Sequence, residues 1–233
     1  MTVSVSIEFL SKTLPFKGLP AEQLQAVIEV ARQRRVPRDA YFFQQGDQAA
    51  VFYTLLQGKA KLTQLTPDGH QVLMRFVNSG DSFGVIAALE SAEHPLSAQT
   101  VSDCLALTWD SQTLASLLER FPKLAINALQ MVSLHHQELQ NRYLELATER
   151  VERRIAHAVL RLVQQAGQKV EQGILINLPL SRQDLAEMTG TTLYTVSRII
   201  SRWEEQGIAR TGRKRLLIRR PHDLVAIAED LLR

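Results

Sequence analysis

The segment Thr189-Gly190-Thr191-Thr192-Leu193-Tyr194-Thr195-Val196-Ser197-Arg198-Ile199-Ile200-Ser201 has the residue types of a surface that reads another polymer. Val196, Ile199, Ile200 and Trp203 fall on one side of a helix. At about 100° per residue the opposite side is centred on Tyr194, Arg198 and Ser201, with Ser197 at its edge. Upstream, Ser181-Arg182-Gln183-Asp184 is a Ser-x-x-Asp variant of the capping box and opens a short helix carrying Leu185, Ala186 and Met188. Gly190 relieves backbone strain at the turn between the two. Helix, glycine turn, helix is the arrangement in which a second helix enters the major groove of DNA. Next come Arg210, Arg213, Lys214, Arg215, Arg219 and Arg220, with no acidic residue between Ile208 and Arg220. Ile208–Arg210 and Leu216–Arg219 read as strands joined through Thr211-Gly212-Arg213-Lys214. Charge alone is equally well explained by a solvated basic hairpin. Beside a polar-faced second helix, the same hairpin reads as a wing, with Arg213 and Lys214 neutralising phosphates without reading bases.

The rest of the 233-residue chain must position these groups. Its length suggests one or two domains at about 100–200 residues each. The formal charge of +3 is unevenly placed: residues 1–148 hold 12 Lys/Arg against 14 Asp/Glu, and residues 149–233 hold 15 against 10. The basic half is therefore the one suited to nucleic acid. No run approaches the ~18 apolar residues of a membrane helix, no signal peptide is evident at Met1–Ser6, and a cytoplasmic protein without a membrane partner is expected. Cys104 is the only cysteine, which excludes an intrachain disulfide and a four-cysteine metal or iron–sulfur site.

From Leu19 to Val30 the apolar spacing is helical, with Pro20 at the first turn. From Arg38 to Leu107, short β-branched and aromatic runs alternate with turn signals, and Lys59–Leu65 with Gln71–Phe76 reads as a hairpin. A small β-sandwich or barrel is predicted. Helix returns from Thr113 to Glu119 and again after Pro122. There Leu129, Val132, His136, Leu139, Tyr143 and Leu146 step by 3, 4, 3, 4 and 3, a heptad seam. Leu124 to Leu146 would span roughly 35 Å. So long and narrow a stripe favours a parallel two-helix dimer over packing onto the chain's own β-domain. Thr148 is expected to cap a new helix from Glu149, with a hinge at Ala147–Glu149.

The order β-domain, long helix, winged helix-turn-helix resembles the cyclic-AMP receptor/FNR superfamily of bacterial transcription regulators over nearly the whole chain. The resemblance is carried by Phe43-Gln44-Gln45-Gly46-Asp47, Asn78-Ser79-Gly80-Asp81-Ser82-Phe83-Gly84, Leu180–Ala186 and Gly190–Ile199. It implies an α+β chain: a cyclic-nucleotide-binding-like β-roll over 1–121, a dimerisation helix over 122–147 and a winged helix-turn-helix domain over 148–233. It implies a homodimer on a pseudo-palindromic site in double-stranded DNA, with RNA polymerase as a further partner. The position matching Arg198 reads a guanine, as its bidentate fork allows. Those matching Ser181, Arg182, Thr192 and Thr195 contact DNA or lie against its backbone, and Arg202 is added to that set. Tyr194 stands where FNR-type members carry a glutamate, and a tyrosine cannot accept from a cytosine amino group as a carboxylate does. The segment Met188–Arg198 looks closest to NnrR-type regulators, which respond to nitrogen oxides.

The superfamily's nucleotide cassette resembles Phe-Gly-Glu followed by Arg-Ser-Ala. Here the same places read Phe83-Gly84-Val85 and Leu96-Ser97-Ala98, so both polar anchors are aliphatic. An uncompensated phosphate in an apolar pocket is costly, and binding of cyclic AMP in the usual way is not expected. Phe83, Gly84, Val85, Leu96, Ser97 and His136 are the effector-pocket set, with the effector itself unknown. Haem sensing nitric oxide stays open by analogy, with His70, His94, His135, His136 and His157 as the histidines that could ligate iron. The simpler role for His136 is a polar residue fixing register across the seam. The sequence has no Gly-x-Ser-x-Gly, phosphate-loop or His-Glu-x-x-His motif, so an enzyme is not expected. The competing reading is a small-ligand or cyclic-nucleotide-binding module that does not bind DNA.

Overall fold

The computed structural model describes residues 6–85, 93–212 and 215–231, and the chain divides into two compact units, Met1–Glu138 and Leu139–Arg233. Among the described residues no helix is long and apolar enough to cross a membrane.

In the first unit the short runs between turn signals are strands. They are β1 (Arg32–Val36), β2 (Tyr41–Phe43), β3 (Val51–Gln57), β4 (Lys59–Leu65), β5 (Gln71–Asn78), β6 (Ser82–Phe83), β7 (Ser97–Thr100) and β8 (Cys104–Asp110). They form two antiparallel sheets, ordered β1-β8-β3-β6 and β2-β7-β4-β5. The β4–β5 hairpin runs from Lys59↔Asn78 to Leu65↔Gln71, with a register shift after Leu62. At Gly58, between β3 and β4, φ is +92° and a Cβ would lie 2.3 Å from Asp103 O, so only glycine closes that turn.

The central strands are buried on both faces, and period-2 alternation divides their side chains between two cores. Tyr53 and Leu55 of β3 and Cys104 and Ala106 of β8 face a core shared by both sheets, with Phe42, Phe43, Leu62, Val77, Phe83 and Ala98. Phe52 of β3 and Leu105, Leu107 and Trp109 of β8 face the other core. That second core is closed by α1 (Ile7–Lys12), α2 (Ala21–Glu29), α3 (Ser111–Arg120) and the start of α4 (Pro122–Thr148). Trp109 Nε1 donates to Val27 O at 2.9 Å, tying β8 to α2. Buried Asn127 of α4 donates to Pro15 O at 3.0 Å and Lys17 O at 2.8 Å, satisfying the turn between α1 and α2.

At about 1.5 Å per residue, the 27 residues of α4 extend ~40 Å. Its buried residues are Leu124, Asn127 and Met131, all near its start. Of the seam, Val132 is packed against the first unit's core. Leu129, Leu139, Tyr143 and Leu146 are exposed, Tyr143 by 72%.

The second unit contains α5 (Val151–Ala166), β9 (Gly167–Val170), β10 (Gly173–Ile176), α6 (Arg182–Thr189), α7 (Leu193–Glu205), β11 (Ala209–Gly212), β12 (Arg215–Ile218) and α8 (Pro221–Ala228). The wing strands therefore belong to a four-stranded sheet, β11-β12-β10-β9. The expectation for Thr148 is corrected. It is the last residue of α4, its hydroxyl donates to Leu144 O at 2.8 Å, and the Glu149 N–H continues the pattern to Glu145 O. The hydroxyl is thus turned back along α4, and the next helix starts two residues too late for Thr148 to stand at its N-cap. The N-cap of α5 is Arg150, whose side chain makes no capping bond.

Candidate nucleic-acid interface

The helix pair is built as its sequence dictates. Ser181 Oγ accepts the Asp184 N–H at 3.0 Å and Asp184 Oδ2 accepts the Ser181 N–H at 2.7 Å, a reciprocal capping box at the start of α6. Gly190 ends α6 at φ 58°, ψ 45°, the left-handed conformation that glycine adopts at little cost. Thr192 caps α7, its Oγ1 accepting the Thr195 N–H at 3.2 Å, and the two hydroxyls lie 3.0 Å apart. Thr192 and Thr195 thus have a structural task at the N-terminus of α7, whose partial positive charge favours a phosphate.

Val196, Ile199, Ile200 and Trp203 are buried, Ile200 and Trp203 completely. Tyr194 is 75% exposed, Arg198 is exposed, and Ser197 and Ser201 are half-buried. Among the described residues Arg198 makes no hydrogen bond or ion pair, so its guanidinium is presented from a fixed helix with its donors uncommitted.

The other arginines assigned to DNA have protein partners. Arg202 pairs with Glu152 at 3.3 Å, and the same carboxylate accepts Trp203 Nε1 at 2.9 Å, which locks α7 to α5. Arg182 pairs with Glu204 at 3.4 Å. Glu204 Oε1 also accepts the Thr211 N–H at 2.8 Å and the Thr211 hydroxyl at 2.7 Å, joining the end of α7 to the first wing strand. Burial pushes the Glu204 carboxyl upward, but the two Thr211 donors and Arg182 outweigh it and hold it below its ordinary value. Arg210, Arg215 and Arg219 are exposed on the wing, and Arg220 is tied to Asp223 at 2.6 Å. Arg213 and Lys214, assigned to the wing tip, lie outside the described residues. Glu152 and Glu204 were not singled out from sequence, because the partners of Glu152 and the Arg182 partner of Glu204 are distant in the chain and meet them only through tertiary packing.

The effector set is divided. Phe83 and Leu96 pack on the core between the sheets, with Phe83 stacked on Tyr53 at 4.9 Å and edge-on to Phe42 at 5.3 Å. Val85 is buried in the other core, and Gly84 has φ +83°, where a Cβ would lie 2.8 Å from Val51 O. Ser97 Oγ accepts the Gln45 N–H at 2.9 Å. Valine and leucine at the two anchor positions offer a cyclic phosphate and a ribose hydroxyl no partner, so these residues do not fit that ligand.

The histidines are dispersed. His94 is 3% exposed and stacked on Phe43 at 3.5 Å, and burial lowers its pKa. Burial and the Arg75 charge push His135 down to about 4. His70 and His136 are exposed, and His157 lies 3.4 Å from Glu149. Among the described residues no three His, Cys, Asp or Glu side chains converge as a metal site.

Two family models match: the cyclic nucleotide-binding domain over residues 33–121 and the Crp-like helix-turn-helix domain over residues 153–227. The chain is 26% identical to the cyclic AMP receptor protein of Thermus thermophilus, over 84% of this chain and 88% of that one. It is 25% identical to the fumarate and nitrate reduction regulatory protein of Escherichia coli, over 89% and 82%. The fold is shared with FixK2 of Bradyrhizobium japonicum, with a TM-score of 0.74, 24% identity, and coverage of 85% of this chain and 97% of that one. It is also shared with the c-di-GMP-responsive regulator CLP of Xanthomonas campestris, with a TM-score of 0.74, 20% identity, and coverage of 85% and 99%. A cyclic nucleotide-binding domain followed by a Crp-like, DNA-binding helix-turn-helix domain makes this chain a transcription regulator of the CRP/FNR family.

Proposed function

We propose that the protein acts as a homodimer that binds a pseudo-palindromic operator, each copy placing α7 in a major groove and its wing on the flanking backbone. Arg198 carries this reading. It is an exposed arginine with no protein partner among the described residues, on a helix whose opposite face is buried and whose N-terminus is capped. Its fork matches the paired acceptors of guanine. Ser197 and Tyr194 read neighbouring bases, while Ser181, Arg182, Thr192, Thr195, Arg202, Arg213 and Lys214 meet the phosphates.

The dimer half of the proposal is supported by Leu129, Leu139, Tyr143 and Leu146, apolar side chains left exposed at heptad spacing on α4. Two-fold symmetry puts the half-site centres one helical turn apart, about 34–36 Å. On this reading the protein works in the cytoplasm and acts on transcription through RNA polymerase. The likeness of Met188–Arg198 to NnrR-type regulators suggests nitric oxide, sensed through haem, as the signal. A haem-reconstituted protein without a stoichiometric Soret band, or one unmoved by nitric oxide, disposes of that signal alone.

Footprinting tests the function itself. Protection of an inverted repeat with that spacing is expected. Binding that shows no sequence preference on genomic fragments overturns the proposal and favours a ligand-binding module without an operator.

A further inference from the structure

We infer that Glu204 is a positioning residue for DNA binding: its carboxylate fixes the first wing strand and Arg182 in one geometry relative to the recognition helix. The inference rests on the reading that α7, Arg182 and the wing face DNA. Glu204 lies on the last turn of α7, one residue after Trp203, which is fully buried and held by Glu152. Its backbone is therefore anchored where the recognition helix is anchored. Oε1 takes both Thr211 donors, and Oε2 faces Arg182 at the start of α6. One side chain thus links α7, α6 and β11.

An acidic group so close to a DNA-binding face has a cost, because phosphates repel it. A carboxylate in that place needs a task that its charge or its two oxygens perform. Two donors on the wing strand meet one oxygen, and a guanidinium meets the other. Without Glu204, Thr211 would lose its acceptor, and the hairpin carrying Arg210 and Arg215 would keep its pairing to β10 and the Ile208 N–H bond to Trp203 O at its base but lose its side-chain tie to α7. Arg182 would lose the contact that orients it beside the N-terminus of α6. Phosphate contacts depend on such placement, because each adds a fixed increment to the salt dependence of binding.

The experiment compares Glu204→Ala, Glu204→Gln and Thr211→Val with the wild type in the full-length protein. The readouts are operator affinity from 50 to 200 mM salt and the hydroxyl-radical footprint. Gln keeps an oxygen for Thr211 and loses the charge. Ala loses both. Thr211→Val removes one wing bond without touching α7. We expect the Ala variant to bind about tenfold more weakly, with a salt slope reduced by roughly 1 and flanking protection lost. Gln should restore the wing flank with an affinity between those of Ala and the wild type, because its amide nitrogen cannot hold Arg182, and Thr211→Val should shift the flank in the same direction as Ala. A purely structural role would lower the melting temperature and leave slope and flank unchanged. The inference is overturned if Ala or Thr211→Val binds with an unaltered slope and footprint, or if Gln behaves as Ala does. Failure of the wild type to protect any inverted repeat would overturn the operator reading instead, and is seen before any variant is made.

Discussion

Arg161 of α5 donates from Nη1 to Glu145 Oε1 on the last turns of α4, across the break at Glu149 and Arg150. The Arg161 and Glu145 side chains are only 22% and 14% exposed. Next to this pair, Glu149 meets Arg153 at 3.3 Å and His157 at 3.4 Å, and Arg154 donates to Gly190 O at 3.4 Å. The end of the long helix, α5 and the turn between α6 and α7 are thereby joined by ion pairs and a hydrogen bond to the Gly190 carbonyl. The end of α4 and the turn that positions the recognition helix are thus both fastened to α5.

Glu145→Gln tests this coupling. Arg161 Nε is already buried with no hydrogen-bond partner among the described residues, so loss of the carboxylate leaves a largely buried guanidinium uncompensated. We expect a loss of about 2 kcal/mol, between the values for exposed and fully buried pairs. Urea unfolding of the variant against the wild type measures it. An unchanged midpoint would show that the pair does not tie the two helices.

Arg198→Ala should abolish discrimination between operator and random DNA while leaving the fold intact, because the side chain has no protein partner among the described residues to lose. A bidentate base contact is worth about 1–3 kcal/mol per half-site. Arg198→Lys should not rescue it, since an ammonium cannot match two acceptors in the same fork geometry. By contrast, Arg210→Ala and Lys214→Ala should weaken binding evenly on all sequences and lower the salt slope by about 1 each. Competition binding with specific and random duplexes separates the two patterns. Retained sequence preference in the Arg198 variant would show that α7 is not the reading helix.

The exposed seam gives a third test. Leu139 and Leu146 are 48% and 51% exposed, and Tyr143 between them is 72% exposed. Charge at two such positions would have to be desolvated in a helix–helix seam. Leu139→Glu with Leu146→Glu should give a folded monomer in analytical ultracentrifugation, with operator affinity reduced at least a hundredfold because one half-site is lost. A dimer that persists would place the interface elsewhere.

What the sequence disclosed follows from how local each signal is. The capping box at Ser181, the glycine turn at Gly190 and the buried side of α7 are set by neighbours within one or two helical turns, and all three appear as expected. The β4–β5 hairpin was legible for the same reason. Thr148 misled because a threonine at a helix end can bond backward to the carbonyl four residues earlier or forward to the next helix, and sequence does not decide between them. The Arg182–Glu204 and Arg161–Glu145 links join residues that only the tertiary fold brings together. The strands β9 and β10 are short, and β9 is exposed throughout, so neither carries a strong burial pattern.

Acid should destabilise the first unit through its histidines. His135 is held at about 4 by burial and by the Arg75 charge, with Glu138 opposing, and His94 is lowered by burial against the opposing Asp47. A folded-state pKa below the unfolded value of about 6.5 means that the unfolded chain binds more protons between those two values. The stabilisation is therefore complete above about pH 6.5 and is lost as the pH falls toward 4. Each imidazole contributes at most about 1.4 kcal/mol per pH unit in that window. Burial raises the Asp81 carboxyl, which acts in the opposite sense and begins to offset the loss at the acid end. His135→Gln, neutral at every pH, should flatten the slope between pH 6 and 4.5. Urea midpoints at half-unit intervals would reveal this, and an unchanged slope would show that His135 titrates as freely in the folded protein as in the unfolded chain.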